Sequence, residues 1–125
     1  MTRFVLDADT AIFATTGQFP ALRDRLAEFE PGEVCLSAIS YAEIALGMEQ
    51  GKPPTPRALA LLVEVVPVLA FDEAAARAYA RLPFKRARFD RLLAAHALSI
   101  GAIVITNNEA DFADVPGLKI ENWTR

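Results

Sequence analysis

The sequence holds a single cysteine, Cys35, and a single histidine, His96, in 125 residues. One cysteine excludes an internal disulfide, and one cysteine with one histidine cannot build a structural zinc site. Long apolar runs are missing too. The longest, Ala58–Phe71, is interrupted by Glu64 and Pro67 and falls short of a membrane span. The apolar start Phe4–Leu6 stops at Asp7, too early for a signal peptide, so a cytoplasmic protein without membrane attachment is expected. Without an export signal, the sequon Asn122-Trp123-Thr124 reads as chance. No Walker-type loop, GxGxxG, repeat or low-complexity segment occurs. Positive charge is not in excess: 13 Lys and Arg face 16 Asp and Glu, a net charge of −3 that argues against general electrostatic affinity for nucleic acid. His96 falls in an apolar helical stretch and is expected to be packed. No serine is marked by the sequence as its partner, which counts against a Ser-His-Asp arrangement. Cys35 reads as a small buried hydrophobe.

What is present suits one domain with one core, since 53% of the residues are apolar. Arg3–Leu6 predicts a buried strand ending in Asp7, and Ala11–Ala14 the start of a helix capped by Asp9 or Thr10. Phe19, Leu22, Leu26 and Phe29 predict an amphipathic helix over Gln18–Glu30, stopped by Pro31-Gly32. Val34–Leu36 reads as a second strand. A helix over Tyr41–Glu49 follows, capped by Ser37 or Ser40, with Glu43 in its first turn where the helix dipole favours a carboxylate. Pro56–Val66 predicts a helix, Pro67–Phe71 a strand, and Asp72 caps a helix through Leu82. After a loop over Phe84–Phe89, a helix begins at Asp90 and ends at Gly101, Ala102–Ile105 is a strand, and Leu118–Glu121 an edge strand. Strands alternating with helices imply a three-layer α/β/α sandwich around a mainly parallel sheet of four to five strands.

In such a fold Asp7, Asp90 and the segment Thr106–Asp111 converge on the carboxyl rim of the sheet, with Glu43 as a fourth acid. Clustered carboxylates must raise a pKa or share a cation. Oxygen ligands without His or Cys select hard ions, Mg²⁺ or Mn²⁺, and such sites serve phosphoryl chemistry. Six of the basic residues (Arg77, Arg81, Lys85, Arg86, Arg88 and Arg91) crowd next to Asp90. They read either as a solvated helix face or as a rim contacting phosphates, and Phe84 or Phe89 as packed residues or as platforms for a base.

The segments FVLDADTAIF, LSAISYAEIALGM and FDRLLAAHALSIGAIVITNNEADFADVPGLKIENW, in that order and over almost the full length, resemble PIN-domain proteins, and more closely the VapC-type toxins of VapBC toxin–antitoxin systems. The resemblance implies a PIN-like fold and an Mg²⁺-dependent endoribonuclease, with Mn²⁺ as a substitute ion. It implies inhibition by a VapB-type antitoxin, a homodimer with higher assembly through the antitoxin, operator DNA bound only through the antitoxin, and a transfer RNA as substrate. The family's acidic site falls on Asp7, Glu43 and Asp90. By its position before Phe112 the fourth acid is Asp111, with Glu109 and Asp114 close by. Thr106 and Asn108 occupy site-lining positions, and Asp9 stands where the family commonly has asparagine. Arg81, Lys85, Arg86, Arg88 and Arg91 are the candidates for RNA contacts. The alternatives are a catalytically silent PIN-like module within a DNA-binding autorepressor complex, and a nuclease acting on DNA.

Overall fold

Three short runs of apolar residues, Phe4-Val5-Leu6, Val34-Cys35-Leu36 and Ile103-Val104-Ile105, pair side by side and set the frame of the molecule. The computed structural model describes residues 1–83 and 89–125. The elements run β1 (Phe4–Leu6), α1 (Ala8–Thr16), α2 (Pro20–Ala27), β2 (Val34–Ser37), α3 (Ala38–Glu49), α4 (Pro56–Val65), β3 (Val68–Leu69), α5 (Glu73–Ala80), α6 (Phe89–Ile100), β4 (Ile103–Ile105), a 3₁₀ turn (Glu109–Phe112) and β5 (Ile120–Glu121). All five strands are parallel, in the order β3-β2-β1-β4-β5. The chain builds outward from β1 to β3, then returns to the other side of β1 for β4 and β5. The turning point of the topology therefore lies beside β1, where open α/β sheets bind their ligands.

Alternation along the strands divides the core. Phe4, Leu6, Val34, Leu36 and Ile105 face α1, α2, α3 and α4 through Ala11, Leu22, Ile44, Leu59 and Leu62. Val5 and Val104 face the other way, against Leu93, Ala94 and Ala97 of α6 with Phe112 and Val115. Burying each large branched side chain contributes about 1.5–3 kcal/mol. Phe4, Phe29 and Trp123 close the first cluster, with ring centroids 4.9–5.6 Å apart. Gly17 ends α1 with φ 69°, a left-handed conformation that only glycine adopts without strain.

The three-layer parallel architecture agrees with the sequence reading; several helix starts do not. The cap of α1 is Asp7, not Asp9 or Thr10: its side chain accepts from the Thr10 amide at 2.8 Å. Ser37 rather than Ser40 caps α3, so the helix begins at Ala38 and Glu43 lies in its second turn, where the dipole gives a carboxylate little help. His96 is buried as expected, yet it does have a serine partner, Ser37, at 2.7 Å.

Candidate active site

The register of the central strands assembles the floor of the site. Leu6 pairs with both Leu36 and Ile105, so Asp7, Ser37 and Thr106 form one row at the carboxyl edge of the sheet. Counting by twos, all three share the side of Val5 and Val104, the side covered by α6. All three are buried, with relative exposures of 7%, 0% and 0%. Burial pushes the Asp7 carboxyl above its ordinary range, and the Asp9 charge adds to the rise. Bonding to Thr106 and Thr10 opposes it. The Thr10 amide supplies a well-formed bond at 2.8 Å, whereas among the described residues the buried Thr10 hydroxyl meets no partner in hydrogen-bond geometry.

Above this floor, Asp7, Asp9, Glu43, Asp90 and Asp111 line one cavity of about 110 Å³, together with Ala8, Ser40, Phe89, Leu93 and Asn108. Glu43 registers its neighbours most strongly. Burial first, then the charges of Asp90, Asp9 and Asp7, raise its pKa to about 7. Asn108 donates through Nδ2 to Asp111 Oδ2 at 2.5 Å, fixing that carboxylate on the 3₁₀ turn. The competing acids are engaged elsewhere. Glu109 pairs with Arg125 at 2.6 Å, and Asp114 with Arg91 at 3.1 Å; neither lines the cavity.

The other candidates divide. Asn108 and Asp9 line the cavity, but Thr106 sits behind Asp7, its hydroxyl also accepting the Asn108 amide at 2.9 Å. Arg91 is corrected from surface rim to interior. It is 4% exposed and donates to the Pro83 carbonyl at 2.9 Å as well as to Asp114, so its guanidinium is not offered to a ligand. Arg81 lines a separate groove between α5 and α6 with Arg77 and Ser99, and none of the acids is among its described lining residues. Lys85, Arg86, Arg88 and Phe84 lie outside the described residues. Phe89 is 38% exposed on the cavity wall, the one apolar ring facing the acids among its lining residues. The sequence reading considered Ser40 only as a cap. Its spacing of three from Glu43 puts both on one helix face, a signal that was available. A larger cavity of about 250 Å³ is lined by apolar residues such as Leu26, Phe29 and Val65, with Glu30 its one acid, and offers no comparable chemistry.

The donor set fits a hard divalent cation: among the described lining residues, five carboxyl groups, an amide and a hydroxyl supply oxygen. The acids do not yet close on one point. Among the described residues, no three His, Cys, Asp or Glu side chains are gathered closely enough to grip an ion as they stand.

An open parallel sheet with an acidic, oxygen-lined cavity at its topological turning point defines the class of the protein. The chain belongs to the PIN-domain family, whose model matches residues 5–118. It is 33% identical to the tRNA(fMet)-specific endonuclease VapC of Shigella flexneri, over 99% of this chain and all of that protein. Among solved structures, DNA-bound VapBC from Salmonella typhimurium superposes with a TM-score of 0.81 at 31% identity, covering 98% of this chain and 99% of that one. VapBC2 from Rickettsia felis, bound to a promoter DNA fragment, reaches 0.85 at 21% identity, over 98% and 99% of the two chains, and bears on the fold alone.

Proposed function

We propose that this chain is the nuclease toxin of a toxin–antitoxin pair, an endoribonuclease whose Asp7, Glu43, Asp90 and Asp111 hold Mg²⁺, or Mn²⁺ in its place. Its VapC-type kinship makes it a nuclease. The observation that carries the finer reading is the cavity itself: five carboxyl groups line it, and burial together with the neighbouring acids raises Glu43 to about 7. A divalent cation there would supply Lewis acidity at the phosphodiester and lower the pKa of an attacking water. The protein's own part is positioning. Asp7 is the buried member, oriented by the Thr10 amide that donates to its carboxylate. Asn108 orients Asp111, and Asp9 deepens the negative field. Phe89 offers its exposed face to an unstacked base flanking the scissile phosphate.

Transfer RNA is the proposed substrate class, on the strength of the relative named for tRNA(fMet). A VapB-type antitoxin is the proposed inhibitor, placing a basic side chain against the carboxylates; a homodimer, and contact with operator DNA through the antitoxin, complete the assembly. The DNA-bound VapBC complex of Salmonella typhimurium supports that part of the reading. The test is expression without antitoxin, followed by cleavage assays on tRNA and single-stranded DNA. Wild type is expected to arrest growth and to cut tRNA in preference. Asp7→Asn and Asp90→Asn are each expected to lose on the order of 10²–10³-fold in cleavage with an unchanged circular dichroism spectrum. Toxicity retained in both variants would remove these aspartates from the site, and equal cutting of DNA would overturn the RNA assignment.

A further inference from the structure

We propose that Ser37 and His96 form a buried brace that sets the separation of Glu43 on α3 from Asp90 on α6, which makes both of them positioning residues of the acidic cavity. The inference rests on the reading of that cavity as a cation site. Ser37 Oγ and His96 Nδ1 lie 2.7 Å apart, with the two residues 0% and 2% exposed. The same Ser37 oxygen accepts the Ile39 amide at 3.1 Å, so the first turn of α3 and the middle of α6 meet on one hydroxyl. That junction lies six residues before Glu43 and six residues after Asp90, about 9 Å along each helix. Further along α3, Ser40 donates to the Leu6 carbonyl at 3.2 Å, next to Asp7. The helix carrying Glu43 is thereby pinned both to the strand that delivers Asp7 and to the helix that delivers Asp90. Phe71 packs against the imidazole with the rings 5.5 Å apart and nearly perpendicular, fixing its plane. Burial lowers the His96 pKa against the pull of Asp72, so the ring is neutral. Ser37 Oγ and Nδ1 share one hydrogen bond, whose donor is set by the imidazole tautomer.

The physical need for a brace is the repulsion between like charges, since Asp7, Asp9, Glu43, Asp90 and Asp111 line one cavity. Apolar contacts between α3 and α6 are non-directional and tolerate sliding. A buried hydrogen bond does not, because missing its geometry exposes the desolvation cost of both groups. Neither Ser37 nor His96 lines the cavity, so both act through Glu43 and Asp90, and Ser37 is no nucleophile.

The test is Mn²⁺ binding to the full chain, freed of any partner, read from the paramagnetic resonance of free Mn²⁺. His96→Leu removes the bond while keeping bulk; His96→Asn restores a polar atom near the Nδ1 position. His96→Leu is expected to weaken Mn²⁺ binding roughly tenfold. His96→Asn should recover most of the affinity even if both variants melt at the same lowered temperature. Ser37→Ala carries the same expectation as His96→Leu should the latter fail to fold. Wild-type affinity in His96→Leu or Ser37→Ala, or equal losses in His96→Leu and His96→Asn, would overturn the brace. Absence of Mn²⁺ binding by wild type would instead overturn the cation site on which the brace depends.

Discussion

Glu43 carries the sharpest residue-scale consequence. Its carboxyl titrates near 7 in the folded chain against an ordinary value of 4.5. Between those values the folded state keeps a proton that the unfolded state has lost. The stability of the metal-free protein therefore falls as pH rises from about 4.5 to about 7, and stays lowered above that. Wild type without metal should melt progressively lower from pH 5 to pH 7.5 in thermal denaturation. Glu43→Gln should flatten that decline and melt higher at pH 7.5 while losing cleavage. If Glu43→Gln shows the wild-type slope, Glu43 does not feel the field assigned to it. The sequence made the acids legible because a carboxylate after a buried strand, or at the start of a buried helix, needs a reason to be there. It did not disclose that Asp7 doubles as the cap of α1, since Asp9 and Thr10 were equally good caps by type.

At the scale of elements, the misreadings share one cause: local signals were degenerate and tertiary contacts chose between them. Ser37 and Ser40 are both able caps. The pairing of Ser37 with Leu69 in the sheet, and its bond to His96, decided for Ser37 and moved Glu43 into the second turn. Arg91 looked like one more arginine of a basic run, yet α6 turns it inward. Three of that run, Lys85, Arg86 and Arg88, lie outside the described residues. Arg91 ties the start of α6 to Pro83 and Asp114. Arg91→Met, which strands the Pro83 carbonyl, is expected to cost about 1–3 kcal/mol in urea denaturation. The folded variant should bind RNA as wild type does. A stable variant with weakened RNA binding would return Arg91 to the phosphate rim.

At the scale of the whole molecule, the alternation of strands and helices was enough to infer a parallel sheet between helical layers, because parallel strands need crossovers. The strand order was not legible: nothing in the residues says that β4 returns to pair with β1 rather than extending beyond β3. That return brings residues 7, 43, 90 and 111 from across the chain to one edge. The acidic cavity is thus a product of topology, and its field must be neutralised before a polyanion can enter a molecule of net charge −3. The most direct measurement is therefore tRNA cleavage by the purified chain, freed of its inhibitor, with Mg²⁺ and with excess EDTA. Cleavage should proceed with Mg²⁺, fall to background in EDTA, return when Mg²⁺ or Mn²⁺ is restored in excess, and be lowered on the order of 10²–10³-fold in Asp90→Asn with Mg²⁺ present. Equal cleavage in EDTA and in Mg²⁺ would contradict the account.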